Sequence, residues 1–416
     1  MRRLREGYKK TEVGIIPEDW EVKSLSEISD IRRGASPRPI KDPKWFSEKK
    51  DIGWVRISDV TSSSKYLINT SQYLSEEGRN KSRCVTKGDL IMSICATVGK
   101  PIIMMMDACI HDGFVLLDNI QKTCNKEFLY YTLQKYEESF KSMGQTGTQA
   151  NLNTELVGGL KITIPPLKEQ EKIAEILSTV DCHIDDTEKL IEKCKELKKG
   201  LMQRLLSRGI GHTEFRKSEV GEIPASWEVK KLGDICSLIN GKAFKPQEWK
   251  EEGIPIIRIQ NLNGSDEFNY FEGDIDSKYL VQNNDLLFSW SGSRGTSFGP
   301  HIWNGVDGVL NQHIFKVIIK DNISIDRTFF YYNLKYITEL IEKEAHGSAG
   351  LVHITKGALE KFNVIVPCVE EQIKISKILS SIDNEIEEYK NKKKKLEELK
   401  KGLMQQLLTG KIRVTI

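Results

Sequence analysis

Two stretches of the chain carry apolar residues at steps of four and three, the spacing of one face of a helix. Each begins just after a proline, Pro166 or Pro367, and continues for about thirty residues without Gly or Pro. The apolar positions of the first are Ile173, Leu177, Val180, Ile184, Ile191 and Cys194, with Thr187 in the one gap. Those of the second are Ile375, Leu379, Ile382, Ile386, Tyr389 and Leu396, with Lys393 interrupting the series. The spacing predicts two long helices that pair as a coiled coil.

The region before each helix has a different pattern, in which short apolar runs alternate with Gly, Asn and Asp. These runs lie at 55–57, 90–94 and 114–117 before the first helix, and at 256–259, 286–288 and 314–319 before the second. Such a pattern predicts short strands separated by turns, and the fold class is therefore α+β. The first helix leads from one mixed domain to the other, and the second helix starts at the second domain. If the helices pair, they must run antiparallel.

The chain is a tandem repeat, because the same segments occur twice in the same order. VGIIPEDWEVKSLSEI at 13–28 returns as VGEIPASWEVKKLGDI at 220–235, and IPPLKEQEKIAEILSTVD at 164–181 as VPCVEEQIKISKILSSID at 366–383. ELKKGLMQ is identical at 196–203 and 398–405. The predicted organisation is an N-terminal arm (1–12), domain 1 (13–166), a central long helix (167–207), a linker (208–219), domain 2 (220–368), a C-terminal long helix (369–409) and a tail (410–416).

Composition limits the possible classes of protein. Hydrophobic residues make up 39% of the 416, and no apolar run is long enough to cross a membrane. The eight cysteines form no CxxC pair and are expected to be reduced thiols in a cytoplasmic protein. A net charge of +3 does not by itself indicate nucleic acid, so any DNA affinity must come from unevenly placed charge. Residues 32–50 form such a patch, with seven basic residues against two acidic ones.

The sequence lacks the motifs of several enzyme classes. Each Gly-Lys pair is followed by Pro, Ala or Ile instead of the Ser or Thr of a phosphate-binding loop. The only Pro-Pro precedes a helix and does not form the Asn/Asp-Pro-Pro-Tyr/Phe turn of an amino-methyltransferase. Glu18 and Asp19 could belong to a nuclease, but the repeat replaces them with Ala225 and Ser226 while keeping the tryptophan. We therefore expect no catalytic site and no bound metal in this chain.

The segments IPEDWEVKSL and IPASWEVKKL, the two helix starts and the paired ELKKGLMQ resemble the specificity subunits of type I restriction-modification systems. The resemblance covers nearly the whole chain. It implies two target recognition domains that each read one half of a split DNA site, separated by two helices that set the spacing and dock modification subunits. The modification subunits, expected to be two, would bind S-adenosylmethionine and methylate adenine. Separate restriction subunits would use ATP and magnesium, so no cofactor is expected in this chain.

Loops that differ between the repeats are the candidates for reading different half-sites, because a shared scaffold should vary where its ligands vary. The candidate DNA-binding residues of domain 1 are Arg33, Ser36, Arg38, Lys41, Thr97, Thr148, Gln149 and Asn151. Those of domain 2 are Lys242, Lys245, Ser293, Arg294, Asn311, Gln312 and His313. Plain loop structure is the competing interpretation of each residue, and the arginines and lysines are expected to meet phosphates more often than bases.

The two copies of ELKKGLMQ place a glycine inside a helix, where it costs about 1 kcal/mol relative to alanine. A partner surface for a modification subunit would explain the repetition, with Lys199, Gly200, Met202, Lys401, Gly402 and Met404 as its residues. A helix end or a tight helix crossing would explain it equally well. Two other functions stay open at this point: a coiled-coil scaffold whose domains bind protein or glycan, and a nuclease with an unrecognised site.

Overall fold

Strands overlap all of the short apolar runs, as the computed structural model of the protein shows, but the runs at 55–57 and 256–259 end in short helices that begin at Ile57 and Ile259. The structure describes residues 6–144, 152–344 and 351–415. The fold divides into two compact units. Unit 1 comprises Met1–Glu188 with Asn391–Ile416, and unit 2 comprises Lys189–Lys390. Each unit therefore holds one mixed domain, the first part of the long helix that follows it and the last part of the other long helix.

Domain 1 contains thirteen strands among its described residues. They are β1 (Tyr8–Thr11), β2 (Gly14–Pro17), β3 (Glu21–Ser24), β4 (Asp30–Arg33), β5 (Ile52–Val55), β6 (Tyr66–Leu67), β7 (Gln72–Leu74), β8 (Arg83–Val85), β9 (Leu90–Ser93), β10 (Pro101–Met104), β11 (Ala108–Ile110), β12 (Phe114–Asp118) and β13 (Lys161–Ile164). The helices are α1 (Leu25–Ile28), α2 (Ile57–Ser62), α3 (Glu76–Asn80), α4 (Lys126–Lys135), α5 (Glu137–Gly144), α6 (Thr154–Gly158) and the long α7 (Leu167–Arg208). A five-stranded sheet has the order β4-β12-β9-β10-β6, and a four-stranded sheet has the order β7-β5-β11-β8.

Domain 2 repeats this design. Its strands are β14 (Phe215–Ser218), β15 (Gly221–Pro224), β16 (Glu228–Lys231), β17 (Cys236–Asn240), β18 (Ile254–Ile257), β19 (Asn269–Phe271), β20 (Leu280–Val281), β21 (Leu286–Ser289), β22 (Ser291–Ser293), β23 (Gly299–Ile302), β24 (Gly308–Leu310), β25 (Ile314–Ile319), β26 (Leu351–His353) and β27 (Asn363–Val366). The helices are α8 (Leu232–Ile235), α9 (Ile259–Leu262), α10 (Arg327–Glu344), α11 (Lys356–Glu360) and the long α12 (Val369–Leu407). The sheet orders β17-β25-β21-β23 and β19-β18-β24-β20 match those of domain 1 strand for strand, apart from the extra β6. The predicted α+β tandem repeat is confirmed.

The long helices follow the predicted apolar spacing and run antiparallel inside each unit. In unit 1, Ile173 and Leu177 near the start of α7 share a core with Leu407 and Leu408 at the end of α12. In unit 2, Ile191 packs with Ile382 and Ile386 of α12, beside Cys194 and Tyr389. Thr187, the one polar position of the first series, is buried as well. No helix in the described part of the chain is both long and apolar enough to span a membrane.

A tryptophan and a glutamate hold the start of each domain against the long helix of its unit. Trp20 Nε1 donates to Glu169 Oε2 at 3.0 Å, and Arg413 pairs with the same carboxylate at 2.7 Å. The side chain of Glu169 is fully buried. In the second copy Trp227 Nε1 donates to Glu371 Oε2 at 2.9 Å, and His212 takes the place of the arginine. The persistence of the tryptophan in both repeats is thus explained by packing and a buried hydrogen bond.

A second contact that occurs in both units involves the first lysine of ELKKGLMQ. In unit 1, Asp181 Oδ2 accepts from Tyr131 Oη at 2.7 Å, and its Oδ1 pairs with Lys400 at 2.7 Å. In unit 2, Asp383 accepts from Tyr332 Oη at 2.7 Å and pairs with Lys198. Each aspartate lies on the helix that follows its domain, whereas each lysine comes from the other helix. An ion pair within each unit therefore explains why the first lysine of ELKKGLMQ occurs in both copies.

Candidate nucleic-acid interface

Two loops cross in each domain, and a glycine allows them to touch. A methyl group at Gly34 would lie 2.0 Å from the His111 carbonyl oxygen, and one at Gly241 would lie 2.1 Å from that of Asn311. Any side chain at either position would force the loops apart. The backbone bonds also correspond, since Ala35 N donates to Ile110 O at 3.1 Å and Lys242 N to Leu310 O at 2.8 Å. We call 33–38 with 110–113 the first crossing-loop pair, and 240–245 with 310–313 the second.

In the first crossing-loop pair, three of the predicted residues converge on one aspartate. Ser36 Oγ donates to Asp112 Oδ1 at 2.6 Å, and Arg38 pairs with Oδ2 at 2.9 Å. Arg33 Nε donates to the Asp112 carbonyl oxygen at 2.9 Å. Burial alone would raise the pKa of Asp112, but the bond from Ser36 and the charge of Arg38 outweigh it and lower that pKa. The aspartate, which the sequence did not single out as a site residue, organises this surface.

The second crossing-loop pair has different side chains on the same backbone. The Lys242 ammonium lies 4.2 Å from the ring centroid of Phe271 and 3.7 Å from Glu248. Asn311 and Gln312 replace His111 and Asp112, and His313 stacks at an angle on Trp290 with 5.1 Å between ring centroids. Amides and rings dominate here, whereas a carboxylate and two arginines dominate in domain 1.

The remaining predicted DNA-binding residues, except Lys245 at the end of the second crossing-loop pair, lie elsewhere. Lys41 and Lys245 are exposed, as are Ser293 and Arg294. Thr97 contacts Thr61 and lines a different cleft of about 450 Å³ beside the long helices of unit 1. The predicted residues Thr148, Gln149 and Asn151 lie outside the described residues. Within the described part of the chain, no group of three or more His, Cys, Asp or Glu side chains could hold a metal ion.

His111 stays uncharged in the folded protein. Its side chain is 14% exposed, packs 4.7 Å from the Phe114 ring and accepts the Gly113 N–H at 2.9 Å through Nδ1. Burial, with a smaller effect of the Arg56 charge, lowers the pKa of His111 to about 4, against the opposing pull of Asp112. A neutral imidazole therefore supports the first crossing-loop pair at physiological pH.

Acidification is expected to destabilise domain 1 through His111. Below the ordinary histidine pKa of 6.5 the unfolded chain binds a proton that the folded chain rejects until pH about 4. His111 therefore leaves the free energy of unfolding unchanged above pH 6.5. Between pH 6.5 and pH 4 it lowers that free energy by up to about 1.4 kcal/mol for each pH unit. Denaturant midpoints between pH 7 and 4.5 should fall less steeply in His111→Asn, which copies the residue of domain 2. Equal slopes in both proteins would contradict the assignment.

The residues predicted to face a partner separate into two groups. Lys199, Gly200, Lys401 and Gly402 are exposed on the long helices. Met202 instead is buried in a core with Trp227, and Met404 packs against the core of unit 1. Met202 therefore serves packing, whereas Met404 is half-buried and keeps part of its side chain accessible. A methyl group at either glycine would meet nothing within 4 Å, and both helices continue past it. Neither a helix end nor a tight crossing within a unit explains these glycines.

Replacing Gly200 and Gly402 with alanine should therefore stabilise the isolated chain, by up to about 1 kcal/mol at each position, because alanine has the higher helix propensity and enough space. Thermal unfolding of the double variant will measure this gain. If the backbone of a modification subunit packs against these glycines, the same variant will also bind that subunit more weakly. Lys195→Ala, on an exposed position of the same helix, is the matched control. A double variant less stable than the parent would show that the space around the glycines is not available.

Comparison with known proteins identifies the family. The model described as "Type I restriction modification DNA specificity domain" matches the chain twice, over residues 17–196 and 224–398. The MjaX specificity subunit of a type I restriction enzyme from Methanocaldococcus jannaschii is 33% identical, over 98% of this chain and 97% of that one. The MjaVIII specificity subunit from the same organism is 29% identical, over 98% and 96%.

Solved structures share the fold. The S subunit of a type I system from M. genitalium superposes with a TM-score of 0.58 at 16% identity and covers 97% of both chains. A chain from a study of complex assembly in the type I R-M system gives a TM-score of 0.59 at 17% identity and covers 95% of this chain and 99% of that one. The alternative of a scaffold with protein- or glycan-binding domains finds no support in these comparisons. The chain belongs to the specificity subunits of type I restriction-modification systems, with two recognition domains in tandem.

Proposed function

We propose that this specificity subunit reads DNA with its two crossing-loop pairs and carries no catalytic chemistry of its own. Each pair would contact one half of a bipartite site through the major groove. The observation that supports this proposal is the combination of equivalent backbone contacts at Gly34 and Gly241 with unrelated side chains around them. Two readers built on one scaffold should differ where their half-sites differ.

The kind of contact expected from each side chain follows from its chemistry. Arg33, Arg38 and the exposed Lys41 and Lys245 suit phosphate oxygens, which take most of the hydrogen bonds in protein–DNA complexes. Short polar groups and amides suit base edges, because the major groove offers a distinct set of donors and acceptors for each base pair. Half-site choice would therefore depend on a few loop side chains, while the basic residues supply affinity.

The long helices would set the distance between the half-sites and dock the modification subunits. The surfaces around Gly200 and Gly402 occur once in each repeat, which supports two modification subunits for each chain. S-adenosylmethionine would be bound by those subunits for adenine methylation, and ATP and magnesium by restriction subunits. The assembly would act in the cytoplasm, and the chain alone would neither methylate nor cut DNA.

Binding to duplex DNA at increasing salt, with and without the modification subunit, tests the proposal. Affinity should fall steeply with salt because bound phosphates release counterions. Arg38→Ala should weaken binding and reduce the magnitude of the salt slope by about one. Arg208→Ala is the matched control, since the exposed Arg208 pairs with Glu222 at 3.1 Å outside both crossing-loop pairs. Binding that ignores salt, or methyl transfer by the highly purified chain alone, would refute the proposal.

A further inference from the structure

A cavity of about 270 Å³ lies beside the second crossing-loop pair. Its walls include Phe244, Trp249, Arg258, Asn311 and Gln312. The Arg258 guanidinium lies 4.8 Å from the Trp249 ring centroid and donates to Asn269 Oδ1 at 2.5 Å. The arginine is thereby held against the wall. Polar groups of the amides and the indole remain for a ligand.

Three polar atoms around this cavity are buried and have no hydrogen-bond partner within the described part of the chain. They are Trp249 Nε1, Asn311 Oδ1 and Gln312 Oε1. Asn311 is 8% exposed. A buried polar atom without a partner costs free energy, and native proteins contain few of them. Three such atoms around one cavity indicate a hydrogen-bonding ligand.

The corresponding loop of domain 1 does not share this property. His111 Nδ1 accepts from Gly113 N at 2.9 Å, and both carboxylate oxygens of Asp112 have partners, Ser36 and Arg38. The same backbone arrangement is thus satisfied internally in domain 1. Trp54 Nε1, whose ring lies 5.8 Å from that of His111, is buried and unpaired in domain 1 too, so what distinguishes domain 2 at these loops is its pair of unpaired amide oxygens.

The unpaired set specifies the ligand. It offers one N–H donor and two carbonyl acceptors, so the ligand must present N–H groups as well as an acceptor. A phosphate oxygen only accepts and would leave both amide carbonyls unpaired. Of the base edges in the major groove, those of guanine and thymine carry acceptors alone and that of cytosine carries only the N4 donor, whereas adenine carries the N6 donor beside the N7 acceptor. A side-chain amide matches adenine with two hydrogen bonds.

Resting on the proposed DNA-reading function, we propose that Asn311 and Gln312 form an adenine-reading site that only the second recognition domain has. One amide accepts from the free adenine N6–H and donates to N7, and the second amide oxygen and the Trp249 N–H are left to pair with groups of the neighbouring base pairs. The half-site read by domain 2 therefore contains an A·T pair whose adenine edge faces this cavity, and domain 1 reads no base in this way.

Methylated sites of the assembled modification complex, mapped by sequencing, test this site. Gln312→Glu and Asn311→Asp keep the shape but remove the N–H donor that N7 needs, and a carboxylate accepts well from cytosine N4. In these variants, the preference for adenine at one position of one half-site should fall about tenfold or more. Cytosine should become accepted at that position. The other half-site should not change. Asn322→Asp introduces the same charge at an exposed turn of domain 2 and should leave both half-sites unchanged.

The outcomes separate the two proposals. A parent complex without a bipartite target would refute the proposed function itself. A bipartite target that is identical in Gln312→Glu would overturn the adenine site alone. If Asn311→Asp lowers the unfolding temperature, the double variant Asn311→His with Gln312→Asp, which copies domain 1, replaces it. That variant should lose the adenine preference, and retention would overturn the proposal.

Discussion

A chain in which a second copy of residues 13–166 replaces residues 220–368 is expected to direct methylation to a symmetric site. Both domains would then carry the first crossing-loop pair and read the same half-site, once on each strand. The copy should seat correctly because its contacts to the helices use the same residue types. Trp20 would meet Glu371 as Trp227 does, and Tyr131 would meet Asp383 as Tyr332 does. Sequencing of methylated sites reports the result.

The reverse replacement, with domain 2 in both places, serves as the control and should give a second, different symmetric site. Together the two products should reproduce the two halves of the parent site. Methylation that keeps the original asymmetric target in either product would refute the assignment of one half-site to each domain. An inactive product that still folds and binds the modification subunit would show that the seating contacts are insufficient.

Four residues inserted into each long helix should widen the gap in the recognised site by about two base pairs and leave the half-sites unchanged. The insertion adds roughly 6 Å to a helix, against 3.4 Å for each base pair. The boundary between the units falls after Glu188 in α7 and after Lys390 in α12, so insertions there spare the packing inside each unit. Four residues also nearly restore the helical face at 3.6 residues per turn.

An insertion of two residues at the same points is the matched control. It turns the part of each helix beyond the insertion by about 200°, so the apolar seam no longer continues on the same face across the insertion and activity should be lost. A single insertion in α7 leaves α12 shorter and should reduce stability. An active four-residue double variant with the original gap would refute the role of the helices in spacing, and altered half-site bases would refute the separation of reading from spacing.

Much of the fold is predictable from the sequence because periodicity reports burial directly. The seam positions Ile173 and Leu177 of α7, and Ile375 and Leu379 of α12, are buried as expected. The repeat predicts two similar domains, and the unlike segments at 33–38 and 240–245 predict the surface loops. Gly34 and Gly241 were a further signal, since a glycine kept in both copies of an otherwise variable loop marks a close approach of backbones.

The rest depends on contacts between residues that are distant in sequence. Nothing near Asp112 indicates that it will bind Ser36 and Arg38, because those partners reach it only when the two loops cross. The cavity beside Asn311 likewise depends on Trp249 and Arg258, which arrive from two other segments. ELKKGLMQ was interpreted as one surface, although its first lysine pairs with an aspartate of the other helix and Met202 is buried in a core.

The composition of the units has a consequence for synthesis on the ribosome. Unit 2 is one continuous segment, whereas unit 1 needs both ends of the chain, with Tyr8 Oη donating to Gly410 O at 2.9 Å and Arg413 pairing with Asp19 at 2.8 Å. At about 5 to 20 residues per second, domain 1 waits roughly 10 to 40 s for the helix end that completes its core. During that interval its apolar surface is available to chaperones. A stop codon shortly before Asn391 would therefore damage the recognition domain made first and spare the one made last.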